Sequence, residues 1–309
     1  MIIFVADAFL EQYGGGAELT TQAIIEGSLH PSARAITANV SVQLMEDAKD
    51  CFWIFGNFAN LSNDCMLYAV KNLKYSVLEY DYKYCSYRSP EKHIAAEGSC
   101  NCSMTPRGKL TALFLKHAQI NWWMSEGQKK AYQEKYPFLE GRVLSSVFSD
   151  DTLDLIDELY TDEKNDTWII LDSKSWIKGV DEAIDYAREL LKKMAKSKGL
   201  IFFPRAADTC PRMVIEAKLL GCELILNENV QHKNEEWFAT KDSCKKHMRS
   251  RSSIFWDELE NKIHFLPSKS SDIGPKYHII SPFYNAEPFL KRCISSLKRQ
   301  KYNNFSCTL

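Results

Sequence analysis

The sequence predicts an α/β protein with two domains, each built on a parallel β-sheet. Short apolar runs alternate with amphipathic stretches along the chain, which is typical of parallel strands joined by crossover helices. A length of 309 residues is sufficient for two hydrophobic cores. A polar break at 162–166 precedes a new apolar run, and this break predicts the domain boundary.

In the first domain, residues 1–160, apolar runs predict the strands and amphipathic stretches predict the helices between them. The predicted strands are Ile2–Ala6, Cys51–Phe55, Ser76–Tyr80, Ile120–Met124 and Arg142–Val147. The predicted helices are Glu18–Glu26, Asn63–Asn72, Lys109–His117 and Glu126–Tyr136. Such a sheet is buried on both faces, so ligands are expected at the carboxyl ends of its strands.

The second domain, residues 161–266, repeats the alternation on a smaller scale. Its predicted elements are the strands Thr167–Leu171, Leu200–Pro204 and Glu223–Leu226 and the helices Val180–Ala195 and Pro211–Leu220. Proline at a helix start and Gly221 after its end mark the second helix. The polar and basic segment Asn234–His264 is expected to form helices that wrap back over a surface.

Composition excludes several classes of protein. A formal net charge of -1 gives no sign of the positive field typical of nucleic-acid binders. No stretch approaches the roughly 20 apolar residues needed to cross a bilayer. The apolar run Met1–Phe9 has no basic region before it and contains Asp7, so it is interpreted as a strand rather than a signal peptide. A cytoplasmic protein is expected.

The ten cysteines are scattered, without the regular spacing of a secreted disulfide scaffold, and are expected to be reduced thiols. A tetrahedral zinc site is one interpretation of four residues within one polar segment, namely Cys85, His93, Cys100 and Cys102. Paired C-x2-C knuckles are absent, which favours solvated loop thiols over zinc.

Two segments carry groups suited to an anionic or hydroxylated ligand. Gly14, Gly15 and Gly16 follow the first strand and precede a helix, where backbone amides can approach an anion or a sugar. A tight strand-to-helix turn explains the same glycines equally well.

The second segment is Phe203–Asn227, in which a strand ends, a loop carries Asp208, and a helix from Pro211 carries Glu216. The helix start offers free amides for a diphosphate, and the carboxylates can accept hydrogen bonds from ribose or sugar hydroxyls. Taken singly, each residue is equally consistent with a helix cap or an ordinary helical carboxylate, and that simpler interpretation is favoured.

The segment Phe203–Asn227 resembles the carboxy-terminal signature of retaining glycosyltransferases of the GT-B type. That signature has two acidic residues separated by seven others; Asp208 stands in place of the first glutamate and Glu216 matches the second. Ala217, Gly221 and the strand after them also fit. SWIKGVDEAI, with the Lys178–Gly179 pair, resembles the donor-phosphate loop, and GGGAE resembles the glycine loop of the first domain.

The resemblance implies two Rossmann-like domains around a nucleotide-sugar cleft and a glycosyltransferase activity. A nucleoside-diphosphate sugar would place its diphosphate near Lys178 and its ribose on Glu216, with Asp208 at the sugar ring. A glycan or other hydroxyl acceptor would enter from the side of Gly14–Gly16. No metal or further cofactor is required, because a lysine and a helix dipole can carry the leaving-group charge.

The chain departs from that family in two respects. The arginine that precedes the lysine in the family is absent, and Lys174 replaces it only as a point charge. The second domain is also shortened. A non-catalytic module that binds a glycan or positions a downstream domain therefore stays open as the alternative. A nicotinamide enzyme is disfavoured, because GGGAEL does not supply G-x-G-x-x-G.

The tail, residues 267–309, contains a Ser/Gly/Pro linker and a predicted strand at Tyr277–Ser281. From Ile279 onward it resembles the first strand and helix of inverting GT-A glycosyltransferases. The paired aspartates of that family are not reached. The chain is therefore expected to be a fragment of a longer two-transferase protein, whose tail adds a strand and a helix without a catalytic pocket.

Overall fold

The computed structural model describes residues 1–170, 190–262, 277–280 and 305–308. Its strands are β1 (Ile2–Ala6), β2 (Ser32–Ile36), β3 (Phe52–Phe55), β4 (Lys74–Glu79), β5 (Asn121–Trp123), β6 (Arg142–Val143), β7 (Asn165–Ile170), β8 (Ser197–Phe202), β9 (Glu223–Leu226), β10 (Tyr277–Ile280) and β11 (Phe305–Thr308). They form two parallel sheets, one in the order β10-β11-β2-β1-β3-β4-β5-β6 and one in the order β7-β8-β9. The predicted mixed α/β architecture is confirmed.

Helices connect the strands on both sides of the larger sheet. They are α1 (Gly16–Glu26), α2 (Val42–Asp47), α3 (Asn63–Asn72), α4 (Pro90–Glu97), α5 (Pro106–His117), α6 (Glu126–Lys135), α7 (Asp150–Leu159), α8 (described at 190–196), α9 (Arg212–Leu219) and α10 (Lys241–Lys262). Within the described ranges, no helix has the length and apolar character that crossing a membrane requires.

Side-chain caps decide where several helices begin. Thr105 accepts a hydrogen bond from the Gly108 amide, and Pro106 occupies the first turn. Proline is suited to that position because its φ is already helical and its missing N–H has no helical partner there. Helix α5 therefore begins at Pro106, earlier than the predicted start at Lys109.

Strand β1 lies in the middle of the larger sheet, and its side chains divide between two hydrophobic clusters. Ile2, Phe4 and Ala6 face one cluster, whereas Ile3 and Val5 face the other. This alternation is the period-two geometry of a strand that is buried on both faces.

One of these clusters extends from the larger sheet to the smaller one. It contains Phe4 of β1 together with Leu200 of β8, Val214 of α9 and Phe255 of α10. The two sheets are thus separate in hydrogen bonding but share a core. The proposed division of the chain at residue 161 stays a prediction.

Helix α10 returns over the larger sheet, as predicted for the polar segment after Asn234. The Phe255 ring lies 4.9 Å from the Trp122 ring, centroid to centroid. At the far end of the helix, Glu260 contacts the buried His30 ring nitrogen at 2.9 Å. Aromatic residues inside an otherwise polar sequence therefore form the buried face of this helix.

Two predictions for the larger sheet were wrong. Strand β2 was missed because Ser32 and Arg34 interrupt its apolar pattern, yet both are buried, and Arg34 binds Glu11 and donates to Gln22 at 2.9 Å. The strand predicted at Arg142–Val147 ends at Val143. Ser145 has a φ of 68°, a left-handed backbone that an extended strand cannot include.

In the tail, β10 pairs with β11 and β11 pairs with β2, all in parallel. The predicted strand at Tyr277–Ser281 matches β10, whereas β11 was not predicted. The helix expected between them lies outside the described residues. The interpretation of residues 267–309 as the start of another domain stays a prediction.

Candidate functional site

A cleft of about 220 Å³ lies between the carboxyl end of β4 and the loop that precedes α9. Its lining residues are Tyr80, Asp81, Tyr82, Arg88, Pro204, Ala206, Ala207, Asp208 and Thr209. The first four follow a strand of the larger sheet, and the others follow β8 of the smaller sheet. The cleft thus lies where ligands are expected in open parallel α/β folds, outside the carboxyl ends of strands.

The two walls are joined by hydrogen bonds. The Thr209 hydroxyl donates to the Tyr80 carbonyl oxygen at 2.9 Å. Further along, the Gln231 side chain donates to the Tyr82 hydroxyl at 2.7 Å. These bonds connect residues more than a hundred positions apart, so the shape of the cleft depends on both sheets.

Three charged groups are packed together behind the β4 wall. Lys83 lies 2.9 Å from an Asp81 carboxylate oxygen and 3.3 Å from Glu79, which is completely buried. Burial raises the pKa of Glu79, although Lys83 opposes the shift. Burial alone would raise the pKa of Asp81 too, but Lys83 and Arg88 outweigh it and lower that pKa. Asp81 therefore stays ionised in the cleft wall, paired with Lys83 and Arg88.

Arg88 is the cation at the mouth of the cleft. Its Nε donates to Asp81 at 2.5 Å, and a terminal nitrogen donates to the Asn57 side chain at 2.7 Å. Its φ of 57° lies in the left-handed region, which is uncommon for a residue with a side chain. Strained backbone of this kind concentrates at binding sites, where surrounding contacts maintain it.

Asp208 lines the opposite wall. Its amide donates to the Asn229 carbonyl at 2.8 Å, and its carbonyl accepts from the Gln231 amide at 3.0 Å, so its backbone is held on both sides. Burial raises the pKa of its carboxyl to about 6, against a smaller opposing effect of the Cys210 amide. Asp208 can therefore exchange a proton near neutral pH.

The glycine loop lies beside the second half of the chain. Gly15 caps α1 with no side-chain hydrogen bond, so the amides of the first turn are not capped by a side chain at that position. A Cβ on Gly16 would lie 3.6 Å from Cδ of Arg212. The start of α1 and the start of α9 therefore lie close together.

Arg212 and Glu216 form a loose buried pair at the start of α9. The Arg212 Nε lies 3.9 Å from a Glu216 oxygen, too long for a hydrogen bond, and that nitrogen has no partner among the described residues. A terminal nitrogen of Arg212 donates to the Val147 carbonyl at 2.5 Å, and the guanidinium lies over the Phe148 ring at 3.7 Å. Burial raises the pKa of Glu216, and Arg212 opposes that shift.

Of the predicted site residues, Asp208 lines the cleft. Gly16 and Glu216 both lie next to the Arg212 side chain. Lys174 and Lys178 lie outside the described residues. The roles assigned to all these residues stay predictions.

Sequence reasoning missed residues that make up much of the cleft, namely Tyr80, Asp81, Tyr82 and Arg88. A signal was present, because the polar run YDYKY, residues 80–84, directly follows β4. The rule that ligands bind at the carboxyl ends of parallel strands, applied to that run, would have identified Tyr80 and Asp81. No comparable signal marked Arg88, which lies in a turn.

The expectation of solvated thiols near residue 100 is wrong. Cys85, Cys102 and His93 are buried, and Cys100 is half-buried. The segment is not one polar loop, because α4 carries His93 and a short 3-10 helix begins at Cys102.

No known protein family and no curated protein matches the chain in sequence. Among solved structures, the fold is distantly similar to an alpha-glucosyltransferase in complex with UDP-glucose and DNA containing an abasic site. The TM-score is 0.40 at 10% identity, over 87% of this chain and 94% of that chain. A similarity this distant does not establish a shared activity.

Proposed function

We propose that the chain is a glycosyltransferase that moves a sugar from a nucleoside-diphosphate sugar to a glycan or another hydroxyl acceptor. The observation that carries the proposal is the cleft between β4 and the loop before α9. There, a cation, Arg88, and two carboxylates, Asp81 and Asp208, line one cleft. A nucleotide sugar requires both kinds of group, one for its diphosphate and one for its hydroxyls.

The diphosphate would bind on the positive side of the site. Arg88 lines the cleft and would be the cation that contacts the diphosphate there, and Arg212, at the start of α9, has an Nε without a partner among the described residues. A helix start carries a partial positive charge, and a guanidinium matches phosphate geometry with two parallel hydrogen bonds. Lys178 would complete this side as the leaving-group contact.

The hydroxyl groups would bind to the carboxylates. Glu216 would accept hydrogen bonds from the ribose, and Asp208 would face the sugar ring as the catalytic carboxylate. The raised pKa of Asp208 allows it to accept or return a proton during transfer near neutral pH. Positive charge at the diphosphate would stabilise the leaving group, and a retaining enzyme would keep the anomeric configuration of the donor.

One observation favours the non-catalytic alternative, a module that binds a glycan or positions a further domain. Asp81 and Arg88 in the cleft already pair with each other, and Lys83 pairs with Asp81 as well. An arginine whose charge is already neutralised by a neighbouring carboxylate attracts a diphosphate less strongly. Binding of a sugar without binding of nucleotide would favour this alternative.

A thermal-shift screen with UDP, GDP and their sugars, followed by calorimetric titration, tests the proposal. A nucleotide that binds only the folded chain raises its melting temperature. Arg88→Gln should weaken binding by roughly tenfold to a hundredfold, the effect of losing one charge-assisted contact. Arg142→Gln is the matched control, because Arg142 is 64% exposed and lies at the start of β6.

Turnover is measured in the same preparations as release of free nucleotide from the donor, with and without glycan acceptors. Release of nucleotide together with transfer of the sugar to an acceptor supports the proposed glycosyltransferase activity. If the unmutated chain binds none of the nucleotides, the proposal fails.

A further inference from the structure

A second group of reactive side chains lies apart from the cleft lining, behind the turn that carries Arg88. The ligand atoms of Cys85, His93, Cys100 and Cys102 all lie within 4.8 Å of one another. They come from different local elements: the turn after β4, helix α4, the segment after α4, and a 3-10 helix.

The distances within the group correspond to a tetrahedral site. Zn–S bonds of about 2.3 Å and Zn–N bonds of about 2.0 Å place two sulfurs about 3.8 Å apart, and a sulfur and a nitrogen about 3.5 Å apart. The Cys85 and Cys100 sulfurs lie 3.7 Å apart. The Nδ1 of His93 lies 3.5 Å from the Cys85 sulfur and 3.3 Å from the Cys102 sulfur.

The surroundings of the ligands also suit a metal. The other ring nitrogen of His93 lies 2.9 Å from a Glu97 carboxylate, the contact that orients metal-binding histidines and leaves Nδ1 free to coordinate. The Ser86 hydroxyl lies 3.6 Å from the Cys102 sulfur, where it can donate to a thiolate. Tyr87 stacks on the His93 ring at 4.6 Å and restricts its rotation.

The backbone provides the turn that brings the ligands together. Gly98 ends α4 with a φ of 79°, a left-handed conformation that glycine adopts without strain. The chain reverses there, so that Cys100 reaches Cys85, fifteen residues earlier in sequence. Any residue with a Cβ would strain this reversal.

From this geometry we infer that Cys85, His93, Cys100 and Cys102 bind one structural zinc ion. Three thiolates and one imidazole in tetrahedral arrangement are a donor set that zinc prefers, and the four protein ligands leave no open position for catalysis. A disulfide is the competing chemistry for the same cysteines, but it requires sulfurs about 2.0 Å apart.

The ion would stabilise the turn at the mouth of the cleft. The Arg88 amide donates to the Cys85 carbonyl at 2.9 Å, and the Cys85 amide donates to the Tyr82 carbonyl at 2.9 Å. Cys85 therefore connects the metal site directly to the turn between Tyr82 and Arg88. Removal of the ion should release that turn and lower the thermal stability of the chain.

The test is the metal content of the purified full chain by mass spectrometry, after dialysis against metal-free buffer. About one zinc per chain is expected, with near-complete loss in Cys85→Ser and Cys102→Ser. Cys65→Ser is the matched control: Cys65 is buried in the same hydrophobic cluster and donates to the Val40 carbonyl at 3.4 Å, a bond that serine can keep. The control should retain the zinc.

A second measurement does not depend on the variants folding. The unmutated chain with Co²⁺ in place of zinc should show the absorption bands of tetrahedral cobalt bound to thiolates. Three outcomes would each overturn the inference. They are a chain that holds no zinc after incubation with zinc, cobalt bands without thiolate character, and a Cys85–Cys100 disulfide in non-reducing mass spectrometry. A different metal in these positions would overturn the assignment of zinc.

Discussion

The Nε1 of Trp256 donates a hydrogen bond of 3.0 Å to the carbonyl oxygen of Ile24. The bond joins α10 to α1, elements separated by most of the chain. Trp256 also contacts the Phe4 ring edge-on at 6.3 Å. This single side chain therefore fixes the last long helix against both the first strand and the first helix.

Trp256→Phe should lower the free energy of unfolding by about 2 kcal/mol, because the Ile24 carbonyl loses its donor and the core loses volume. Urea denaturation measures the loss. Trp168→Phe, at a half-buried tryptophan of β7, is the control and should cost less. Equal losses for the two variants would contradict a special role for the Trp256 contact.

Lys178→Ala should weaken nucleotide binding by removing a contact to phosphate. The expected loss is about 1.5 to 3 kcal/mol, or roughly tenfold to a hundredfold in affinity. Glu216→Gln should cost less, because an amide oxygen can still accept one ribose hydroxyl. Calorimetric titration measures both. No change on Lys178→Ala would remove the basis for assigning that lysine to the donor.

Asp208→Asn should flatten the pH dependence of stability between about pH 4 and pH 6. Burial raises the folded-state pKa of Asp208 to about 6, above its usual value of 3.8. Its stabilising contribution is thus complete below pH 3.8 and is lost as pH rises through 6. The loss amounts to at most about 3 kcal/mol, at about 1.4 kcal/mol per pKa unit.

The measurement is denaturant unfolding of both chains at a series of pH values. Asp208→Asn should be the more stable of the two at pH 7 and should lose any transferase activity. Parallel pH curves for the two chains would show that Asp208 ionises normally.

His232→Phe should make the chain less sensitive to acid. The His232 ring is completely buried, stacks on Trp237 at 5.3 Å, and neither of its nitrogens has a partner among the described residues. Burial lowers its pKa to about 3. Stability from the neutral ring is therefore present above pH 6.5 and is lost as pH falls towards 3.

Phenylalanine places another aromatic ring at this position and cannot be protonated. The variant should therefore lose less stability between pH 6.5 and pH 4 than the unmutated chain. His117→Gln, at an exposed histidine, is the control and should leave the acid response unchanged. Thermal melts across this range measure the effect. An identical acid response in His232→Phe would mean that other groups cause it.

The strands and helices with strong periodicity could be predicted from the sequence. Helix α3 occupies the predicted range, and β1 was predicted at Ile2–Ala6. The errors occur where tertiary contacts replace the local pattern. Arg34 is charged and yet buried in β2, because Glu11 and Gln22 supply its partners from elsewhere in the chain. A single sequence does not reveal such partners.

The candidate site follows the same division. By itself, the sequence determined the α/β class and singled out Asp208, which lines the cleft, because these depend on residue type and short spacing. The roles of the glycine loop before α1 and of Glu216 stay predictions. Only the tertiary structure decided that Asp208 faces Tyr80 across a cleft, and that Cys85 meets Cys100 and His93. These contacts form when separate segments pack around shared hydrophobic cores, and packing between distant segments is not encoded in any local pattern.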